Sequence, residues 1–231
     1  MVEHIPEEDG VGGSIPPLGT RKKITINFLM KNFKAIGFDY GGVIAGISGP
    51  EFNRRISILL GIEQKTFQDV YFKFNYLLNN NILSRQEFWK KIAEELGVPE
   101  KYNNVIKFIE ALPHHELNEQ VINLVGRLRI NGYKVGLLSN NDIETANKFK
   151  ENGLSEHFDA VVVSAEVGYS KPHFKAFEIL TERLGVKAKE LIYIDDSEKS
   201  LINAEEIGFQ PILFSDYESL LLNLRSLGIK I

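Results

Sequence analysis

The chain has 231 residues, 43% of them hydrophobic, 10% aromatic and 25% charged, which is the make-up of a folded globular protein and excludes a wholly disordered or fibrous one. Lys and Arg total 27 against 31 Asp and Glu, so a net charge of −4 supplies no basic field for a polyanion and argues against nucleic acid as a partner. Cysteine is absent, which removes disulfides, thiolate metal sites and cysteine nucleophiles and leaves any catalysis to oxygen and nitrogen groups.

The length exceeds a typical domain of about 100–150 residues and falls short of two, so one domain carrying an insertion is expected. Residues 1–33 contain Glu7-Glu8-Asp9-Gly10, Gly12-Gly13-Ser14 and Ile15-Pro16-Pro17, punctuation with little to pack, and read as a flexible tail. Met30 stands just ahead of the first strand as a second possible start. The acidic N-terminus has neither the positive charge nor the apolar core of a secretory signal. No apolar run approaches the roughly 20 residues of a membrane span, so a cytoplasmic protein with no membrane contact is expected.

Ala35-Ile36-Gly37-Phe38 reads as a buried strand ending at Asp39 and the turn Tyr40-Gly41-Gly42. A helical block follows. Its first helix spans Glu51–Leu60, and its second spans Thr66–Leu78 with Phe67, Val70, Tyr71, Phe74, Leu77 and Leu78 on one face. A third helix is opened by a Ser84-x-x-Glu87 capping box and stopped at Gly97, and a fourth spans Lys101–Leu112. Beyond it helix and strand alternate. Helices at Glu119–Asn131, Asp142–Asn152, His173–Leu184, Glu198–Ile207 and Tyr217–Leu227 interleave with strands at Lys134–Leu138, Asp159–Val163, Glu190–Ile194 and Gln210–Phe214. The pattern predicts an α/β fold, a doubly wound parallel sheet with helices on both faces. Residues 34–46 and 117–231 form this core and residues 47–116 form a helical insertion.

Ligands of such sheets bind outside the carboxyl ends of the strands. Asp39, Ser139 and the pair Asp195-Asp196 end separate strands there, and Lys171-Pro172 lies in the loop after Val163. Three carboxylates held together repel, and their pKa values rise unless positive charge is supplied. A hard divalent cation such as magnesium, which prefers oxygen ligands, is a natural supply. With that cation and Lys171 holding a phosphoryl group, Asp39 can attack phosphorus while Ser139 donates to a phosphoryl oxygen.

These residues resemble the motifs of the haloacid dehalogenase superfamily, mostly magnesium-dependent phosphatases that act through an aspartyl-phosphate. Phe38-Asp39-Tyr40-Gly41-Gly42-Val43 is similar to the first motif, Val135-Gly136-Leu137-Leu138-Ser139-Asn140 to the second, Ser170-Lys171-Pro172 to the third and Ile192-Tyr193-Ile194-Asp195-Asp196-Ser197 to the fourth. The likeness covers Lys34 to the C-terminus, and its order excludes receiver domains, which place the acidic pair first. It is nearest to the sugar-phosphate phosphatases whose first motif reads Asp-x-Gly. It implies that Asp39 is the nucleophile and a magnesium ligand, that the Gly41 carbonyl, Asp195 and Asp196 complete the metal site, and that Gly42, Ser139, Asn140 and Lys171 hold the phosphoryl group. The insertion is similar to the family's helical cap. The implied partner is a small phosphorylated metabolite, a sugar phosphate or a nucleotide.

One departure stands out. Most of the family's phosphatases carry a second Asp two residues after the nucleophile as general acid–base; here that residue is Gly41. The resemblance therefore implies a slower phosphatase, with a non-catalytic binding protein as the alternative. A haloacid dehalogenase is a further alternative, but it needs an early cap arginine and Gln68–Leu78 has none.

Other features carry blander readings. Gly41-Gly42-Val-Ile-Ala-Gly46 has the wrong spacing for a dinucleotide loop. His114-His115-Glu116 reads as a solvated linker, His173 as a surface residue, and Asn147, Lys148 and Lys150 as an exposed helix face. Phe67, Tyr71, Phe74, Phe88 and Trp89 read as the core of the insertion, and Arg54 and Arg55 as surface charges that alternatively reach toward a substrate.

Overall fold

The structure is a computed structural model and describes residues 32–45, 47–111 and 117–231. Most of the segment read as a tail lies outside the described residues, as do His114-His115-Glu116 and Gly46. Phe33, placed by its sequence at the end of the tail, is instead buried in the core, so the folded part begins before Lys34.

Strands β1 (Ala35–Phe38), β2 (Lys134–Ser139), β3 (Ala160–Val163), β4 (Leu191–Asp195) and β5 (Gln210–Leu213) form a parallel sheet in the order β3-β2-β1-β4-β5. The strands are apolar almost throughout, as expected where helices cover both faces. Four helices form a block after β1: α1 (Gly49–Leu60), α2 (Gln64–Asn79), α3 (Arg85–Glu95) and α4 (Tyr102–Ala111). The sheet is flanked by α5 (Glu119–Ile130), α6 (Ile143–Glu151), α7 (Ser164–Val167), α8 (Phe174–Leu184), α9 (Glu198–Leu201), α10 (Ala204–Ile207) and α11 (Tyr217–Ser226).

Alternation along the strands splits the core in two. Ile36, Phe38, Val135, Leu137, Ile192 and Ile194 pack one face against α5, α6 and α11. Ala35, Leu138, Val162, Leu191 and Tyr193 pack the other against α8 and α10. On that second face α8 runs close to the sheet, because a Cβ at Gly136 would come within 2.7 Å of Leu180.

The α1–α4 block buries its own cluster, with Ile56, Leu60, Phe67, Phe88, Trp89 and Ile92 inside and Tyr71 and Phe74 packed against it. This is the role read for its aromatic stripe. The capping box at Ser84 and Glu87 is present, with the Glu87 side chain accepting from the Ser84 N–H at 2.9 Å. Arg54 and Arg55 both bond Glu51 on the exposed side of α1, in keeping with surface charges.

Side-chain contacts tie this block to the elements around the sheet. Arg85 at the start of α3 donates twice to Asp142, the N-cap of α6, through Nε and Nη2 at 2.6 Å each, and once to Thr145 at 3.2 Å. Lys199 of α9 lies 4.1 Å over the ring of Phe72 in α2.

The helix expected at Glu198–Ile207 is broken into α9 and α10. The break falls at Asn203, whose side chain donates to the Pro172 carbonyl at 3.1 Å instead of facing solvent on a continuous helix. The short α7, closed by Gly168 in the left-handed region, occupies what read as loop. No helix of the described residues is long and apolar enough to cross a membrane.

Candidate active site

Strand register builds the site. β1 pairs Phe38 with Ile194 of β4, so the next residues, Asp39 and Asp195, come abreast at the carboxyl edge of adjacent strands. The Asp39 N–H donates to the Ile194 carbonyl at 2.8 Å and extends the ladder by one residue. On the other side β2 delivers Ser139. Oxygens of Asp39, Asp195 and Asp196 lie within 4.8 Å of one another.

Lys171 enters from the loop after α7 and is buried between them. Its ammonium donates to Asp39 Oδ1 at 2.7 Å, Asp195 Oδ2 at 2.6 Å and the Tyr193 hydroxyl at 3.0 Å. A lysine has three N–H donors, so all of them are engaged. Its backbone is held as firmly: the Asn140 side chain accepts from the Lys171 N–H at 2.8 Å and donates to the Lys171 carbonyl at 3.0 Å. That clamp joins the loop after β2 to the loop after α7.

Three carboxylates face one ammonium, and the electrostatics show the imbalance. Burial pushes the Asp39 carboxyl up to about 7, the charges of Asp195 and Asp196 add to this, and Lys171 opposes it. Asp196 is raised as well, first by burial and then by Asp195. Burial alone would lower the Lys171 ammonium, but the attraction of Asp39 and Asp195 outweighs it and the net shift is upward.

Asp196 also receives the backbone N–H of Gly49, the first residue of α1, so the acidic pair touches the start of the insertion. Gly42 is what allows the carboxylate to sit there. It adopts φ 73°, and a Cβ on it would fall 2.3 Å from Asp196 Oδ2. Expected to contact a phosphoryl group, Gly42 here gives its N–H to the Ala45 carbonyl at 3.2 Å. At Gly41, by contrast, an added Cβ would meet nothing closer than the Ile47 carbonyl at 3.9 Å.

Ser139 is buried, and its Oγ accepts from the Asn141 side chain at 2.7 Å, which leaves its own proton to give. The structure thus brings Asp39, Lys171, Ser139, Asp195 and Asp196 to one edge, while the Asn140 side chain is committed to Lys171. Tyr193 was missed. Its signal is a hydroxyl in the otherwise apolar run Leu-Ile-Tyr-Ile, two residues ahead of Asp195 and therefore on the same face of the strand. The imidazole of His173 is occupied outside the cluster: it caps α8, accepting the Lys175 N–H at 3.1 Å.

Comparison with known proteins identifies relatives over much of the chain. Bifunctional epoxide hydrolase 2 of Rattus norvegicus is 26% identical over 145 residues, covering 60% of this chain and 26% of that protein. Glyceraldehyde 3-phosphate phosphatase of Methanothermobacter thermautotrophicus is 29% identical over 143 residues, covering 60% of this chain and 61% of that protein. The matched region thus spans about a quarter of the rat relative and about three fifths of the archaeal one. Among solved structures, a HAD family enzyme of Bacteroides thetaiotaomicron in complex with magnesium and inorganic phosphate shares the fold, with a TM-score of 0.56 and 23% identity, covering 81% of this chain and 98% of its own. The model of the haloacid dehalogenase-like hydrolases matches residues 33–208, across the strands and loops that carry Asp39, Ser139, Lys171 and Asp195, and this chain is a member of that family.

Proposed function

We propose that this protein hydrolyses the phosphate monoester of a small metabolite, a sugar phosphate or a nucleotide, through an aspartyl-phosphate on Asp39, with magnesium as cofactor. The reading is carried by the buried grouping of Asp39, Asp195 and Lys171 at the sheet edge beside Ser139. The resemblance to a glyceraldehyde 3-phosphate phosphatase supports the substrate class, and the Bacteroides complex supports the metal.

The donor set fits a hard cation: oxygen ligands from three carboxylates, close together, with more negative charge than Lys171 balances. Asp39, Asp195, Asp196 and the Gly41 carbonyl would hold it. When bound, it supplies the positive charge that keeps these carboxylates ionised and offsets charge on the phosphoryl oxygens.

The steps themselves belong to the chain's own groups. An Asp39 oxygen forms a bond to phosphorus as the ester P–O bond breaks, and the leaving alkoxide takes a proton from water. A second water then attacks the same phosphorus, releases inorganic phosphate and restores the carboxylate. Lys171, the Ser139 hydroxyl and the backbone N–H of Asn140 bind the phosphoryl oxygens. Residues 47–116 act as a cap that excludes bulk water.

Because Gly41 takes the place of the usual acid, alcohol leaving groups go unassisted at a cost of about 10²- to 10⁴-fold. Aryl phosphates, whose phenol leaves without a proton, are expected to turn over far faster than alkyl phosphates. The test is hydrolysis of a generic aryl phosphate with and without magnesium; no turnover in either condition would sink the enzyme reading. A Cβ added at Gly41 meets nothing closer than the Ile47 carbonyl at 3.9 Å, so Gly41→Asp introduces no clash at its first side-chain atom. It is expected to raise the rate on alkyl phosphates by about 10²-fold and to leave aryl phosphates nearly unchanged. An unchanged alkyl-to-aryl ratio would show that leaving-group protonation does not limit the native enzyme.

A further inference from the structure

Tyr193 lies in the strand of the fourth motif, two residues ahead of Asp195, and it is the third partner of the Lys171 ammonium. It is fully buried, and its ring occupies the notch left by Gly37 on β1, where a Cβ would fall 2.7 Å from Tyr193 Cδ2. Phe177 packs edge-on against the same ring at 5.1 Å. The ring therefore has little freedom, and the hydroxyl is aimed by packing.

The hydroxyl donates its single proton to the Leu138 carbonyl at 2.8 Å. A carbonyl is only an acceptor, so in this bond the phenol is the donor and a lone pair is left for Lys171; the Asp195 carboxylate is a second acceptor in reach of the same hydroxyl. Leu138 directly precedes Ser139, and Asp195 stands two residues after Tyr193 on the same strand face. One side chain thus spans β4, β2 and the Lys171 loop.

We propose that Tyr193 is a positioning residue for Lys171: its hydroxyl, keyed to the Leu138 carbonyl, and Asp195 hold two of the three ammonium N–H bonds, so that the third is directed at Asp39 and the phosphoryl group transferred there. Two fixed points on a tetrahedral ammonium define the direction of the third. Without the Tyr193 hydroxyl the ammonium keeps Asp195 and Asp39 and one N–H loses its fixed acceptor, so it is free to turn toward either carboxylate. The proposal rests on the phosphatase reading for its catalytic consequence and on geometry alone for the placement of Lys171.

The test compares Tyr193→Phe with the native protein. The ring and its packing remain and only the hydroxyl is lost. Removing one hydrogen bond to a charged group is expected to lower kcat about tenfold while KM changes less than about threefold, since orientation matters most where charge builds up on the phosphoryl oxygens. Independently of activity, in protein with ¹⁵N-labelled lysine the side-chain resonance of Lys171, assigned through Lys171→Met, is expected to shift and to exchange faster with water in Tyr193→Phe. Leu184→Val, a change in the same hydrophobic layer away from the ammonium, serves as the packing control and should lower the melting temperature without moving that resonance or kcat. An unmoved Lys171 resonance in Tyr193→Phe, or equal effects in the packing control, would overturn the assignment. If the native protein hydrolyses no phosphate ester, the phosphatase reading fails while the resonance still decides whether Tyr193 orients Lys171.

Discussion

Asp39→Asn is expected to lower aryl phosphate hydrolysis by at least about 10³-fold, roughly 4 kcal/mol of transition-state stabilisation, without unfolding the protein. The amide has nearly the shape of the carboxylate, and its oxygen can still accept from Lys171, but it is no nucleophile toward phosphorus. Stability should hold or rise. Asp39 is one of three carboxylates facing a single ammonium, and burial together with Asp195 and Asp196 already pushes its carboxyl up to about 7. Neutralising it removes repulsion, while the Lys171–Asp195 pair at 2.6 Å stays intact. Steady-state rates with magnesium, read beside a thermal melt of the same preparation, separate the two effects. A folded Asp39→Asn protein retaining a tenth or more of native activity would place the nucleophile elsewhere.

Arg85→Ala should destabilise the protein by about 3–5 kcal/mol, because it strands a buried carboxylate. Asp142 and Arg85 side chains are 9% and 7% exposed, so water cannot replace the lost partner. Asp142 would keep only Thr145, which donates its N–H at 2.9 Å and its hydroxyl at 2.8 Å. Burial by itself raises the Asp142 carboxyl, but the hydrogen bonds and charge of Arg85, with Thr145, outweigh it and hold the carboxyl below its ordinary 3.8. A depressed carboxyl stabilises the fold above the unfolded value, and that share is lost as pH falls through the folded one. In Arg85→Ala the stranded carboxyl takes up a proton more readily than the native one. The gap between the two proteins should therefore be full at pH 7 and shrink as pH approaches 3.8 and falls below it. Urea unfolding at pH 7 and in acid checks this, and a gap independent of pH would show that the lost arginine mattered for packing instead of charge.

These two predictions draw on residues of very different legibility. Asp39, Ser139, Lys171 and Asp195-Asp196 could be picked out because each ends an apolar run or follows a Pro or Gly signal within a few residues. The Ser84–Glu87 capping box and the glycine helix stops are equally local. Arg85 carried no such mark: its partner lies 57 residues away, and an arginine in the first turn of a helix reads as surface charge. Asn140 belonged to the right motif, but its side chain goes to the Lys171 backbone 31 residues on. The helix expected at Glu198–Ile207 failed for the same kind of reason, since the bond from Asn203 to Pro172 competes with helix continuity and cannot be read from propensity.

The strand–helix alternation, the run of helices after the first strand and the set of chemical groups at the strand ends were determined by the sequence alone, because hydrophobic period, caps and turns are short-range properties of the chain. Tertiary structure alone decided the strand order β3-β2-β1-β4-β5 and the register that sets Asp39 beside Asp195. It also decided that Lys171 spends its three N–H bonds on Asp39, Asp195 and Tyr193, groups that lie 132, 24 and 22 residues away in the chain. Such partnerships depend on which distant backbones close packing brings within hydrogen-bond reach, and that is a property of the folded core and of no local stretch of sequence.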